Sequence, residues 1–315
     1  MTQKVLKDVA ASVRQRLLNI ARERNEQFQL VLNRYAIERL LFRLSRSDYR
    51  SEFVVKGATL FALWSGHPHR PTRDLDLLGL GDEDAARAAG VFQEICSVAV
   101  PDDGLVFDAD SISVEPLRAG TDFQGLRVVV RARLGTARIP MQIDIGFGDA
   151  VTPTAEEAEF PVLLGFPAPR LLFYRRETVV AEKFEAMVTR GIANSRMKDF
   201  FDIWFLARNF AFEGPALIEA LSGTMEQRGV SFGQPIAFTR EFFDDTGKVA
   251  QWKVFLRRSG LEKEAPALSD VCLYNEGFLM PPARAAVAGK GFDQTWPAGG
   301  PWRPGEKRDG EPGGR

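Results

Sequence analysis

Phe53-Val-Val-Lys-Gly-Ala-Thr-Leu-Phe-Ala-Leu-Trp-Ser-Gly-His-Pro-His-Arg-Pro-Thr-Arg-Asp-Leu-Asp-Leu-Leu78 is the stretch from which the rest of the chain is read. An apolar run, Phe53 to Val55, ends at Gly57, and a short helical segment follows from Thr59 to Trp64. Gly66 and Pro68 break that segment. Asp74 and Asp76 then flank Leu75, with Leu77 and Leu78 after them, the alternation of a strand. Residues two apart on a strand point to one side, so both carboxylates face one way while Leu75 and Leu77 enter the core. Adjacent carboxylates repel and resist joint ionisation. A divalent cation removes that cost, and hard oxygen ligands of this kind suit Mg2+ with substrate phosphates. Alone, Asp-x-Asp is also what a solvated strand face shows. The small-residue turn upstream and a third acidic strand downstream favour the metal.

The surroundings are those of an ordinary soluble protein. The chain has 315 residues, 45% hydrophobic and 26% charged, enough for one large or two modest domains. No apolar run reaches the length of a membrane span. The N-terminus lacks a basic-then-apolar leader pattern, so a cytoplasmic protein is expected. Cys96 and Cys272 are too few and too distant for a disulfide framework or a zinc site. Net charge is −1, yet residues 1–50 hold 11 Lys/Arg against 5 Asp/Glu. That local excess would attract a phosphate backbone. It is equally what a solvated helical surface carries.

Hydrophobic spacing predicts amphipathic helices over 3–22 (Val5, Val9, Val13, Leu17, Ile20) and 26–45 (Phe28, Leu32, Tyr35, Leu41). Asp82 or Asp84 can cap a helix reaching about residue 98. Strands are expected at Ser111–Leu117, Leu126–Leu134 (Arg127, Arg131 and Arg133 on one side) and Met141–Phe147. In the last, Ile143 and Ile145 face one way and Gln142 and Asp144 differ from them in side. Residues 151–170 read as a Pro-rich connection. Helices follow at Glu177–Arg190, Met197–Asn209 and Pro215–Glu226, and further ones over 236–258 and 267–288. The fold class is therefore α+β, a mixed sheet with helices followed by a helical domain. The expected division is 1–160, 161–288, and a disordered Gly/Pro-rich tail at 289–315.

Metal-dependent nucleotidyl transfer needs carboxylates for Mg2+, a phosphate-cradling turn and a cation for the departing pyrophosphate. Asp74 and Asp76 are the candidate metal pair and Asp144 the third carboxylate, with Asp149 as a nearby competitor. Gly57, Ala58 and Thr59 are the candidate phosphate turn, and Thr72 lies close enough to touch anything bound at the metal. Lys183 is the first candidate cation, with Arg176 and Arg190 as alternatives. Asp199 and Asp202, three apart on the next helix, share a face and are placed to pair with Lys183. A surface salt-bridge array would show the same residues. On this reading Lys183→Ala should cripple turnover with little effect on stability. His67 and His69 flank Pro68 and are expected at a pocket rim rather than on zinc.

The combination resembles the nucleotidyltransferase family of AbiEii/AbiGii-type toxins, within the polymerase-beta-like nucleotidyltransferase superfamily. The resemblance is carried by Val55-Lys-Gly-Ala-Thr-Leu60, Arg70-Pro-Thr-Arg-Asp-Leu-Asp-Leu77, Gln142–Ile145, Glu177–Arg190 and Lys198-Asp-Phe-Phe-Asp-Ile203. Family members often have Gly-Gly or Gly-Ser where this chain has Gly57-Ala58. The resemblance implies a nucleotidyltransferase-type sheet domain, Asp74 and Asp76 on Mg2+, Lys183 on the nucleotide phosphates and Asp199 as a further catalytic acid. It also implies a type IV toxin–antitoxin or abortive-infection (phage-defence) toxin, with an NTP substrate, an RNA acceptor such as the tRNA 3′ end, and a cognate antitoxin. The alternatives are transfer to a small molecule or protein hydroxyl, or a non-catalytic nucleotide-binding protein.

Overall fold

A computed structural model describes residues 8–117, 125–149 and 151–305, in two compact units. The first comprises residues up to 149 together with 155–174; the second comprises 150–154 and everything from 175. The first unit opens with α1 (Val9–Glu23) and α2 (Phe28–Ser45). The side chain of Asp8 caps α1 by accepting from Ala11 N at 2.9 Å, and Val13, Leu17 and Ala21 form its buried stripe. Then come β1 (Phe53–Lys56), a 3-10 turn at Gly57–Thr59, α3 (Leu60–Ser65), β2 (Asp74–Gly79) and α4 (Ala85–Ser97). Asp84 caps α4, accepting from Ala86 N and Arg87 N. Strands β3 (Leu105–Pro116), β4 (Gly125–Leu134), β5 (Ala137–Phe147), β6 (Glu156–Glu159) and β7 (Arg170–Phe173) complete the unit.

These strands form one seven-stranded mixed sheet in the order β3-β4-β5-β2-β1-β7-β6. β2 runs parallel to β5, and β1 to β7; the other pairs are antiparallel. Leu75, Leu77, Ile143 and Ile145 are fully buried on one side of the central strands, while Asp74, Asp76 and Asp144 are half-buried on the other. Two expectations change here. The connection at 151–170 is not only linker: β6 lies within it, β7 begins at its end, and both extend the sheet. The sheet unit therefore reaches Tyr174 rather than residue 160. Residues 118–124, next to the expected strand at 111–117, lie outside the described residues.

Helix α2 is not amphipathic in the expected sense. It packs against α1, α4, β5 and β7 and is buried almost all round, Glu38, Arg39 and Arg43 included. Its polar residues enter the core because Asp103, itself buried, receives them. Arg39 Nε donates to Asp103 Oδ2 at 2.9 Å and Arg43 Nη1 to the same oxygen at 2.8 Å. Tyr35 donates to the Asp103 carbonyl at 2.7 Å.

The second unit contains α5 (Arg176–Arg190), α6 (Met197–Asn209), β8 (Phe212–Glu213), α7 (Gly214–Gln227), α8 (Arg240–Phe243), α9 (Thr246–Ser259) and α10 (Leu268–Val287). Strands β9 (Gln294–Trp296) and β10 (Arg303–Pro304) pair with β8 in the order β10-β9-β8. Residues 294–304 therefore fold, where composition predicts a disordered tail. Trp296 is the reason: it is buried and donates from its indole to the Ala207 carbonyl at 2.7 Å. Trp302 stacks on Phe278 with ring centroids 5.9 Å apart. Residues 306–315 lie outside the described set. No described helix is long and apolar enough to cross a membrane.

Removing Asp103 would leave two buried guanidinium groups without their carboxylate. Asp103→Ala should cost about 3–5 kcal/mol, read as a lower urea midpoint with an unchanged slope.

Candidate active site

β1 runs into Gly57, which has φ of +76°, a left-handed conformation that glycine adopts without a Cβ penalty. A second constraint acts at the same residue, since a Cβ there would collide with the carboxylate of Asp76. Glycine thus allows the acid of β2 to lie against the turn that starts α3.

The register assembles the rest. Lys56 on β1 is the Cα partner of Asp76 on β2, Asp76 of Asp144 on β5, Asp144 of Arg127 on β4, and Arg127 of Glu115 on β3. Direct cross-strand partners share a face. A row of charged side chains, Lys56, Asp76, Asp144, Arg127, Glu115, therefore crosses five strands, with a cation on each side of the central acids. Arg127 grips Asp144 through Nε and Nη2, both at 2.9 Å, and Gln142 Nε2 donates to the same carboxylate at 3.2 Å. Lys56 Nζ donates to Asp149 Oδ2 at 2.6 Å and sits 5.5 Å from the Tyr174 ring centre. Asp74 lies beside Gln142, one step along the same face of β2.

The expected three-carboxylate set thus divides. Asp74 and Asp76 share a strand face, and Asp144 is brought level with Asp76 but is engaged by a protein cation. Among the described residues no group of three or more His, Cys, Asp or Glu side chains is disposed to hold a metal ion. Thr72 reaches only the Asp74 carbonyl, at 3.5 Å. His69 is buried and stacked on Phe61 with centroids 3.4 Å apart, so it belongs to the packing under the turn rather than to a rim; His67 is exposed.

The second unit holds the other candidates. Lys183 on α5 donates to Asp199 Oδ1 at 2.6 Å and lies 2.8 Å from Asp202 Oδ2, both acids on α6 and both fully buried. Arg196 Nε lies 2.7 Å from Asp199 Oδ2. Burial alone would raise the Asp199 carboxyl, but the Lys183 ammonium and the Arg196 guanidinium hold it below the ordinary carboxylate range despite Asp202 alongside. Arg176, an alternative cation, lies 4.8 Å from the Phe210 ring centre.

Sequence reasoning missed Lys56 and the pairing of Arg127. Lys56 ends the apolar run of β1, and a lysine there is itself a signal of a charge partner. The side shared by Arg127, Arg131 and Arg133 was legible, but its opposition to Asp144 needs the register.

A glycine turn set against an Asp-x-Asp strand in a mixed sheet is the arrangement that the resemblance drawn from the sequence implies. Residues 39–274 match the family described as "Nucleotidyl transferase AbiEii toxin, Type IV TA system", and the chain belongs to that family. No curated protein matches it. Two crystal structures from Helicobacter pylori are distantly similar. One, provisionally assigned as a nucleotidyltransferase, has a TM-score of 0.49 and 17% identity over 84% of this chain and 100% of that one. The other, JHP933, has a TM-score of 0.48 and 17% identity over 84% and 95%.

The expectation that Lys183→Ala is nearly neutral for stability does not survive this geometry. It would strand two buried carboxylates and should cost about 3–5 kcal/mol. Adding Asp202→Asn should recover part of the loss, an interaction that a double-mutant cycle in urea measures. The pH dependence follows from Asp199. Its carboxyl is lower in the folded than in the unfolded chain, so its stabilisation is complete above the ordinary value of 3.8 and fades as pH falls below it. Asp199→Asn should flatten the acid limb of the stability curve below about pH 4, read from urea midpoints across that range.

Proposed function

We propose that this protein uses Mg2+ to transfer a nucleotide from an NTP to an RNA acceptor, the 3′ end of a tRNA, as the toxin of a toxin–antitoxin pair with a cognate antitoxin. The observation that carries the reading is the Asp76 carboxylate held against the Gly57 turn, with Asp74 on the same strand face. Mg2+ takes one or two carboxylates and completes its octahedron with water and substrate phosphates, and Asp74 and Asp76 have that donor chemistry. Bound there, the ion would neutralise the triphosphate and polarise the reacting phosphoryl group.

The chain's own groups do the remaining work. Backbone N–H groups of Gly57, Ala58 and Thr59 cradle phosphate oxygens, beside Thr72. By the family resemblance, Lys183 is the candidate to take up charge developing on the pyrophosphate. Asp199 and Asp202 act through Lys183, fixing its ammonium; their complete burial suits a positioning role better than contact with substrate. Asp144, held by the Arg127 guanidinium, would be the third carboxylate available to the ion. Arg14, Arg16, Arg22 and Arg24, exposed on α1 and just past it, support an RNA acceptor. Arg34, Arg39 and Arg43 contribute little to that field, since Glu26 and Asp103 receive them inside the protein.

The test is incubation with total tRNA, Mg2+ and each labelled NTP in turn, beside Asp76→Asn. Label should appear on tRNA with one NTP and fall roughly a hundredfold or more in the variant, the scale of losing a metal-held transition state. Undiminished labelling by Asp76→Asn would sink the metal assignment. Label on protein or small molecules instead would move the acceptor and keep the chemistry.

A further inference from the structure

Lysine is almost never buried unless its charge is paired. Lys56, the last residue of β1, is only 8% exposed. Its Nζ donates to Asp149 Oδ2 at 2.6 Å and lies 5.5 Å from the Tyr174 ring centre. It also stands 3.4 Å from the place a Cβ on Gly146 would take. Gly146 belongs to β5, and β2 lies between β5 and β1. Lys56 is the Cα partner of Asp76, and Gly146 is the partner of Leu78. The lysine stem therefore crosses β2 diagonally, between the side chains of Asp76 and Leu78, on the face that carries Asp74, Asp76 and Asp144. Glycine leaves β5 bare where the ammonium arrives. A Cβ there would already be in contact with both the ammonium and the Asp149 carboxylate.

A positive charge fixed beside a carboxylate weakens that carboxylate's pull on a second cation, and more so away from bulk water. The Lys56–Asp149 pair is largely buried, so the ammonium is held beside Asp76 rather than free to swing into solvent. The same charge acts in the opposite direction on an ion that arrives with phosphates. Mg2+ on a triphosphate is a net anion, and a lysine next to the carboxylates that would receive it attracts it.

We propose that Lys56 is a positioning residue for the candidate metal site: pinned by Asp149 beside Asp76, its ammonium weakens the binding of a bare divalent ion and favours entry of the ion together with the triphosphate. This role presupposes the assignment of Asp74 and Asp76 to Mg2+ proposed above. Lys56 acts through Asp76 and the ion, and Asp149 acts through Lys56 by fixing where its charge stands.

The experiment titrates Mn2+, a paramagnetic stand-in for Mg2+, into the full chain, and in a second series titrates tripolyphosphate in the presence of Mg2+. The proteins are the wild type, Lys56→Met, Lys56→Gln, Lys56→Arg and Asp76→Asn. Removing the charge should tighten bare Mn2+ roughly tenfold and weaken Mg2+-tripolyphosphate by a similar factor, the scale of one unit charge several ångströms away. Lys56→Arg, which keeps the charge, should leave both affinities near wild type. Lys56→Gln retains a donor for Asp149 and keeps the test open if Lys56→Met fails to fold. A lysine that only held the fold together would weaken both ligands when removed, so shifts of opposite sign are the signature. Mn2+ affinity that is unchanged or lower in the neutral variants would overturn the proposal. If Asp76→Asn abolishes Mn2+ binding while the Lys56 variants match the wild type, the metal assignment stands and the role of Lys56 falls. If the wild type binds Mn2+ no better than Asp76→Asn, the metal assignment falls and takes this role with it.

Discussion

Asp76 and Asp144 face each other across two parallel strands, and like charges in that position repel. The sheet tolerates them because the next strand on each side supplies a cation, Lys56 beyond Asp76 and Arg127 beyond Asp144. The acids are thereby kept on the face opposite the buried Leu75, Leu77, Ile143 and Ile145. Gly57 then lets the Asp76 carboxylate approach the turn that starts α3. Remove the flanking cations or the glycine, and the acidic pair loses either its charge balance or its place.

The second unit solves a related problem with the charges inverted in number. One lysine serves two fully buried aspartates on the neighbouring helix, and Arg196 adds to Asp199. A lysine tethered in this way has little freedom to swing. The same tether makes it structural, so loss of activity in a Lys183 variant has two physical sources that only a stability measurement separates.

The central strands β2, β4 and β5, the Asp-x-Asp face and the helices over 176–190 and 197–209 were legible because they are local. Alternation and helical spacing report which side is apolar within about a dozen residues. The shared face of Asp199 and Asp202 was legible for the same reason, but their pairing with Lys183 rather than a surface array needed the packing of α5 on α6. The fold of residues 294–304 was not, because Gly and Pro dominate the composition and two tryptophans outweigh them only after finding Ala207 and Phe278. Burial of α2 on all sides was not legible either, since its arginines look like a solvated face until Asp103 is placed among them.

The sequence by itself determined the family, the acidic strand, the glycine turn and the lysine helix, since each is written in consecutive residues. Tertiary structure alone decided that Asp144 stands level with Asp76, that Arg127 holds it and that Lys56 closes the row. It also decided that Arg34 and Glu38, one turn apart on α2, line one cavity with Thr59. Strand register and helix packing set those relations, and both come from burying apolar faces across long separations, which local spacing does not encode.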